Sequence, residues 1–136
     1  MKALVDYFED SPRAYIILEG LGLGQVCHRG LGVIRYRISA ETAGGHSWVN
    51  YGTPSAIHEL AAIISSLSEM TLPRQPRTSM NVGVIQGGTS VNTIAPSAYC
   101  EVDLRSEDQV FLTRLSQRVK QMAAQHERGG VHLEVA

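Results

Sequence analysis

The chain has 136 residues, 43% of them hydrophobic, enough for one globular domain that buries about two-thirds of its unfolded surface. Twelve Lys and Arg against 13 Asp and Glu leave a formal charge of −1, which argues against a nucleic-acid partner. Only two cysteines occur, Cys27 and Cys100, and no apolar run approaches the ~20 residues of a membrane span, so the expectation is no membrane association and a reducing, cytoplasmic setting.

In chain order, residues 2–10 set Leu4, Val5, Tyr7 and Phe8 among Asp6, Glu9 and Asp10, which predicts a short amphipathic helix stopped by Ser11-Pro12. Ala14 to Leu18 is a continuous apolar run, the pattern of a strand covered on both faces. Glycines at 20, 22, 24, 30 and 32 then mark a linker and the internal boundary. Beyond it, Ile34, Tyr36, Ile38 and Ala40 alternate with Val33, Arg35, Arg37 and Ser39, predicting a half-buried antiparallel strand. Thr53 is the expected N-cap of a helix with Pro54 at its first position and a stripe of Ile57, Leu60, Ala61, Ile64 and Leu67. Pro73 and Pro76 close that segment.

Thr78 to Gln86 is the second predicted strand, with Met80, Val82 and Val84 on one face. Ala98, Cys100, Val102 and Leu104 alternate with Tyr99, Glu101, Asp103 and Arg105 in a third. Ser106 with Gln109 suggests a capping box for a second helix, whose stripe is Val110, Leu112, Leu115, Val119 and Met122. Gly129-Gly130 ends it, and Val131, Leu133 and Val135 form the last strand. The order β-α-β-β-α-β predicts an α+β, ferredoxin-like fold: a four-stranded antiparallel sheet with two helices on one face. Its 4-1-3-2 strand order leaves Thr78 to Gln86 on an edge without an obvious charged blocker, which predicts a two-fold dimer through that edge and the helix from Pro54.

Several chemical motifs fail on their spacing. His58-Glu59 begins like a zincin helix but lacks the second histidine four residues on. Gly20-Leu21-Gly22-Leu23-Gly24 is not followed by a helix whose N-terminus would hold pyrophosphate. The RNA-binding modules of this fold class stack bases on paired aromatics, whereas Tyr99 stands nearly alone here. Cys27 and His28 are adjacent, so on an extended strand they point to opposite faces.

Two glycine-loosened turns remain. Gly44-Gly45-His46-Ser47-Trp48 lies between a strand and a helix, and Gly87-Gly88-Thr89-Ser90-Val91-Asn92 lies between two strands. Glycine permits positive φ and close approach of a ligand, so His46, Asn92 and the backbone of Gly87 and Gly88 are candidates to meet something small and anionic. The ordinary alternatives are a turn histidine bonded to its own loop, an asparagine filling a left-handed position, and a salt-bridged Arg105. No complete nucleophile or metal constellation accompanies these residues. The residues alone therefore lead to a ferredoxin-like domain with a candidate anion site.

Residues 30–136 carry Gly-Gly-His-Ser-Trp, Pro-Ser-Ala-Ile-His, Asn-Val-Gly-Val-Ile-Gln-Gly-Gly-Thr-Ser-Val-Asn-Thr-Ile-Ala-Pro and Glu-Val-Asp-Leu-Arg-Ser in that order. This stretch resembles the dimerisation (lid) domain of the bacterial di-zinc exopeptidase and aminoacylase family, which includes carboxypeptidase G, tripeptidases and succinyl-diaminopimelate desuccinylase. The resemblance implies a homodimer in which His46 stabilises the tetrahedral oxyanion in the opposite subunit's active site, while Asn92 and Arg105 bind the carboxylate of a peptide or N-acyl amino acid; Gly87 and Gly88 stay substrate-binding candidates from their turn. Residues 1–29 resemble a remnant of the flanking catalytic domain plus a linker, and Glu19 matches a zinc-ligating carboxylate. The other ligands of the two zinc ions have no counterpart, so the chain alone is expected to bind no zinc and to self-associate without activity. A free-standing regulatory module that binds an amino acid at a dimer interface is the alternative.

Overall fold

In the computed structural model, which describes residues 2–17, 24, 26 and 30–136, the alternating residues 33–40 become a central strand of a sheet. Strand β1 spans Gly32–Thr42. Next come the two-residue β2, Gly45–His46, and helix α2, Ala56–Ser68. Strand β3 spans Thr78–Gly87, β4 is Thr93–Ile94, and β5 is Ser97–Ser106. Helix α3 covers Gln109–Gln125 and β6 covers Val131–Val135. The order β3-β5-β1-β6 is wholly antiparallel, with β1 flanked by β5 and β6, and β3 on the outer side of β5. This is the expected α+β, ferredoxin-like arrangement, with residues 78–87 on an edge.

Period-two alternation decides which side of the sheet is dry. Ile38, Ala40, Cys100, Val102 and Leu104 point to the helices, where they meet Leu60, Ile63 and Leu67 of α2 and Leu112, Leu115 and Val119 of α3. Each fully buried Leu or Ile there contributes about 1.5–3 kcal/mol relative to exposure. Arg35, Arg37, Glu101, Asp103 and Arg105 occupy the opposite, open face, where they pair with one another. Among the described residues, no helix is long and apolar enough to cross a membrane.

Both long helices start at residues other than those expected. Helix α2 begins with Ser55 as N-cap instead of Thr53, and without a side-chain cap bond. The Ala56 N–H donates to the Ala95 carbonyl at 2.9 Å, which satisfies one of the donors left open at a helix start. Its buried stripe is Ala56, Leu60, Ile63 and Leu67, with Glu59, so Ile57 and Ala61 turn outward. Two adjacent apolar stripes compete on this helix, and docking on the sheet selects one. In α3, Asp108 is the N-cap and accepts from the Phe111 N–H at 2.6 Å. Ser106 is still a strand residue, its buried hydroxyl bonded to Thr78 and to the Asp108 N–H. Val110 of the expected stripe is exposed, and Ser116 and Ala123 are buried in the face that docks.

The edge strand carries a further correction. Val82 faces Val102, but Val84 faces Glu101 and Ile85 faces Cys100, so Gly83 is an extra residue in a β-bulge. Beyond it the two faces exchange, and Val84 lies on the open side instead of beside Met80 and Val82.

Helix α1 spans Lys2–Phe8, slightly shorter than the predicted 2–10. The strand expected over Ala14 to Leu18 is not formed in its described part: residues 14–17 are irregular and exposed, because no strand of the sheet borders them. Leu18, Glu19, most of the glycine linker, Cys27 and His28 lie outside the described residues.

Candidate functional site

The pairing of β2 with β4 sets Gly45 opposite Ile94 and His46 opposite Thr93, so the two glycine-loosened turns become one unit at the end of the domain. Ser47 N–H donates to the Asn92 carbonyl at 2.9 Å, closing the join. Gly45 adopts φ of 144°, and a Cβ there would lie 2.7 Å from Asn50 Oδ1. Any side chain there would be strained and would push the Asn50 side chain aside. That close approach lets the Asn50 side chain accept from the His46 N–H at 2.9 Å, while the Asn50 N–H donates to the His46 carbonyl at 2.9 Å.

His46 itself is exposed. Its Nδ1 accepts from the Trp48 N–H at 3.2 Å, which places the proton of the neutral ring on Nε2 and makes Nε2–H an outward donor. Asn92 is also exposed, and its Oδ1 accepts from the Ser90 hydroxyl at 2.8 Å, which leaves the amide NH₂ as the free donor end. The tip thus presents hydrogen-bond donors from two side chains. Trp48, 86% exposed, and Tyr51, 91% exposed, flank them with Val49 and Val91. Below the tip runs an open cleft of about 1080 Å³ bordered by Ser47, Tyr51, Ile57, His58 and Ser90. At its floor Glu59 is buried and accepts from Arg128, tying α2 to the segment before β6.

Gly87 and Gly88 shape this end of the sheet. A Cβ at Gly87 would lie 2.5 Å from the Ala98 Cβ, and Gly88 has φ of 74° with its N–H donated to the Ser97 carbonyl at 3.3 Å. Packing and turn geometry account for both glycines, and the Gly88 amide is already engaged.

Arg105 lies elsewhere. It sits near the C-terminal end of β5, seven residues beyond Ala98, or roughly 23 Å along the strand, whereas the His46 turn adjoins the strand's beginning. Its Nε donates to Asp103 Oδ2 at 2.6 Å, and Arg35 Nε donates to Asp103 Oδ1 at 2.9 Å. Asp103 is held below the usual carboxylate range, chiefly by the Arg105 hydrogen bond and then by Arg35, and Arg105 is raised in turn. Within one chain, His46 and Asn92 come together and Arg105 does not join them.

Glu19 lies outside the described residues, and among those described no group of three or more His, Cys, Asp or Glu is placed to hold a metal. Cys100 is fully buried, and burial pushes its thiol up to about 11, so it is an inert core residue. Asn50 is the positioning residue absent from the sequence expectations. Its only local signal was an Asx-type residue four positions after the histidine in a turn.

The family model of the peptidase dimerisation domain matches residues 30–131. Solved structures share the fold. An aminobenzoyl-glutamate utilization protein from Klebsiella pneumoniae aligns with a TM-score of 0.71 at 19% identity, covering 77% of this chain and 27% of that one. A hydantoinase/carbamoylase family amidase from Burkholderia ambifaria gives 0.72 at 18%, covering 79% and 27%. A tripeptidase from Staphylococcus aureus gives 0.56 at 24%, covering 78% and 29%. This chain therefore spans little more than a quarter of the length of these structures. Among curated proteins no relative matches.

Proposed function

Because the chain belongs to the peptidase dimerisation domain family, we propose that it is the self-associating lid of a zinc-dependent amide hydrolase that acts on peptides or N-acyl amino acids. In this reading residues 30–136 form the lid, and residues 1–29 belong to a flanking catalytic domain. The two-cysteine composition favours a cytoplasmic setting.

The observation that carries the reading is the β2–β4 pairing, which holds two exposed donors, His46 Nε2–H and the Asn92 amide, on two adjoining turns. When an amide carbonyl is attacked, its oxygen gains negative charge. A pre-aligned donor strengthens as that charge develops, and is worth about 3–4 kcal/mol. Arg105 suits the carboxylate end of such a substrate, since Asp103 engages Nε and leaves the terminal guanidinium nitrogens for a two-point contact. A two-fold axis perpendicular to the sheet, between two β3 edges, reconciles the separation of these groups. It sets the strands antiparallel and brings the Arg105 end of one protomer towards the partner's His46 and Asn92 end. Among the described residues no group of three or more His, Cys, Asp or Glu is placed to hold a metal, so in this reading the zinc centre is supplied chiefly by the flanking catalytic domain.

The test is subunit complementation in the full-length enzyme. His46→Ala should lower kcat by roughly 10²–10³ with KM less affected, because the interaction forms at the transition state. Mixing that variant with one lacking a zinc ligand should restore activity in one site of each heterodimer. Verified subunit exchange without recovered activity would rule out action across the interface, and full activity of His46→Ala alone would remove the histidine's role.

A further inference from the structure

Besides Arg35 and Arg37, the open face of the sheet carries a further guanidinium beside Arg105. Ser79 lies opposite Arg105 and Thr78 opposite Ser106, and the Glu107 N–H donates to the Arg77 carbonyl at 3.1 Å, so the ladder continues to an Arg77–Glu107 pair. By period two, Arg77 and Ser79 of one strand and Arg105 and Glu107 of the next share a face. They line one cleft of about 350 Å³ together with Gly30 and Leu31.

The charges in this corner are unequally committed. Asp103 serves both Arg35 and Arg105. Glu107 approaches the Arg77 backbone N–H at 3.3 Å, but among the described residues Arg77 makes no salt bridge. Three arginines, Arg35, Arg77 and Arg105, thus face two carboxylates, Asp103 and Glu107, leaving one positive charge in excess. The Arg105 fork is oriented through its Nε, and the exposed Arg77 side chain borders the same space. Two guanidinium groups with a serine hydroxyl between them offer more donors than the two oxygens of one carboxylate need, and planar guanidinium matches planar carboxylate better than a point charge does.

We propose that Arg77 is a further carboxylate-binding residue, forming with Arg105 and Ser79 a two-arginine clamp on the open sheet face. The clamp rests on the reading of Arg105 as the substrate-carboxylate contact and adds a specificity residue to it. It selects substrates with a free terminal carboxylate over their amides, because an amide leaves the excess positive charge unpaired.

The probes are N-acetylglycine, its amide and inorganic phosphate at constant ionic strength, titrated into this chain and followed by the Nε–Hε resonances of its arginines. N-acetylglycine should shift Arg77 and Arg105 with one common Kd, with Arg114 on the helical face as an unmoved control and the amide binding at least several-fold more weakly. Arg77→Gln should weaken N-acetylglycine roughly three- to tenfold, between the values of exposed and charge-assisted pairs, and leave the fold unchanged by circular dichroism. A response of Arg105 without Arg77 would overturn the clamp and leave the Arg105 reading intact, whereas no response at either would overturn both. Equal shifts at Arg114, or tighter binding of phosphate than of N-acetylglycine, would reduce the corner to a general anion attractor and also overturn the proposal.

Discussion

Asn50 grips His46 through two hydrogen bonds: its Oδ1 accepts from the His46 N–H and its own N–H donates to the His46 carbonyl, each at 2.9 Å. Gly45 makes this possible by presenting no Cβ where Asn50 sits. The backbone of the histidine is therefore fixed by a residue of its own turn.

Asn50→Ala should lower stability by about 0.5–1.5 kcal/mol, the net worth of a typical hydrogen bond, in urea denaturation. Gly45→Ala should cost more, about 1–3 kcal/mol, since it combines a positive φ with a clash. In a full-length enzyme both should reduce kcat while substrate Kd changes little. An Asn50→Ala protein with wild-type stability and wild-type kcat would show that the brace is dispensable.

Self-association should depend on the more exposed apolar groups of this edge, not on Met80 and Val82, which are half-buried against the core. Ile85, 57% exposed on β3, and Ile57, 38% exposed on α2, are apolar groups available to a second copy. Ile57→Lys with Ile85→Lys should weaken the dimer roughly tenfold or more per residue by analytical ultracentrifugation, without loss of cooperative melting. An unchanged dimer would place the interface elsewhere, and a wild-type monomer at high micromolar concentration would argue against edge association altogether.

Cys100 supplies a pH signature. Its folded-state value is raised from 9.0 to about 11 by burial, so its contribution to stability is fully present below pH 9 and is lost as pH rises towards 11. In that window the unfolded chain releases a proton that the folded chain retains. Urea titrations should show a loss of about 1–3 kcal/mol across it that Cys100→Ala lacks. In a Cys27→Ser background, Cys100 should also resist a thiol reagent at pH 8 until the protein is unfolded.

Removal of residues 1–29 should leave the sheet and both helices intact. Tyr7, Ile16 and Ile17 are exposed, and among the described residues the buried core is drawn from Ile38 onward. The 30–136 chain should melt cooperatively and be more soluble than the parent chain, because exposed apolar segments are removed. A broad, non-cooperative melt would mean that the N-terminal residues belong to the core.

Alternation in residues 33–40 and 98–105 was enough by itself to specify two central strands and their dry faces, because side chains on a strand point alternately to the two sides whatever the neighbours are. The β-α-β-β-α-β order likewise determined the architecture and its edge. Helix faces were less legible: α2 has two adjoining apolar stripes, and only its docking on the sheet chose Ile63 over Ile64 as a buried position. The bulge at Gly83 depends on pairing with β5 and moved Val84 across the sheet. For the candidate site, the sequence marked His46, Asn92 and Arg105 as chemistry-bearing types in exposed turns and strand ends. Only the tertiary structure joined His46 to Asn92, through backbone pairing between segments nearly fifty residues apart, and set Arg105 at the far end of the sheet. Such pairings are long-range hydrogen bonds between backbones that any residue provides, so no local pattern of side chains encodes them.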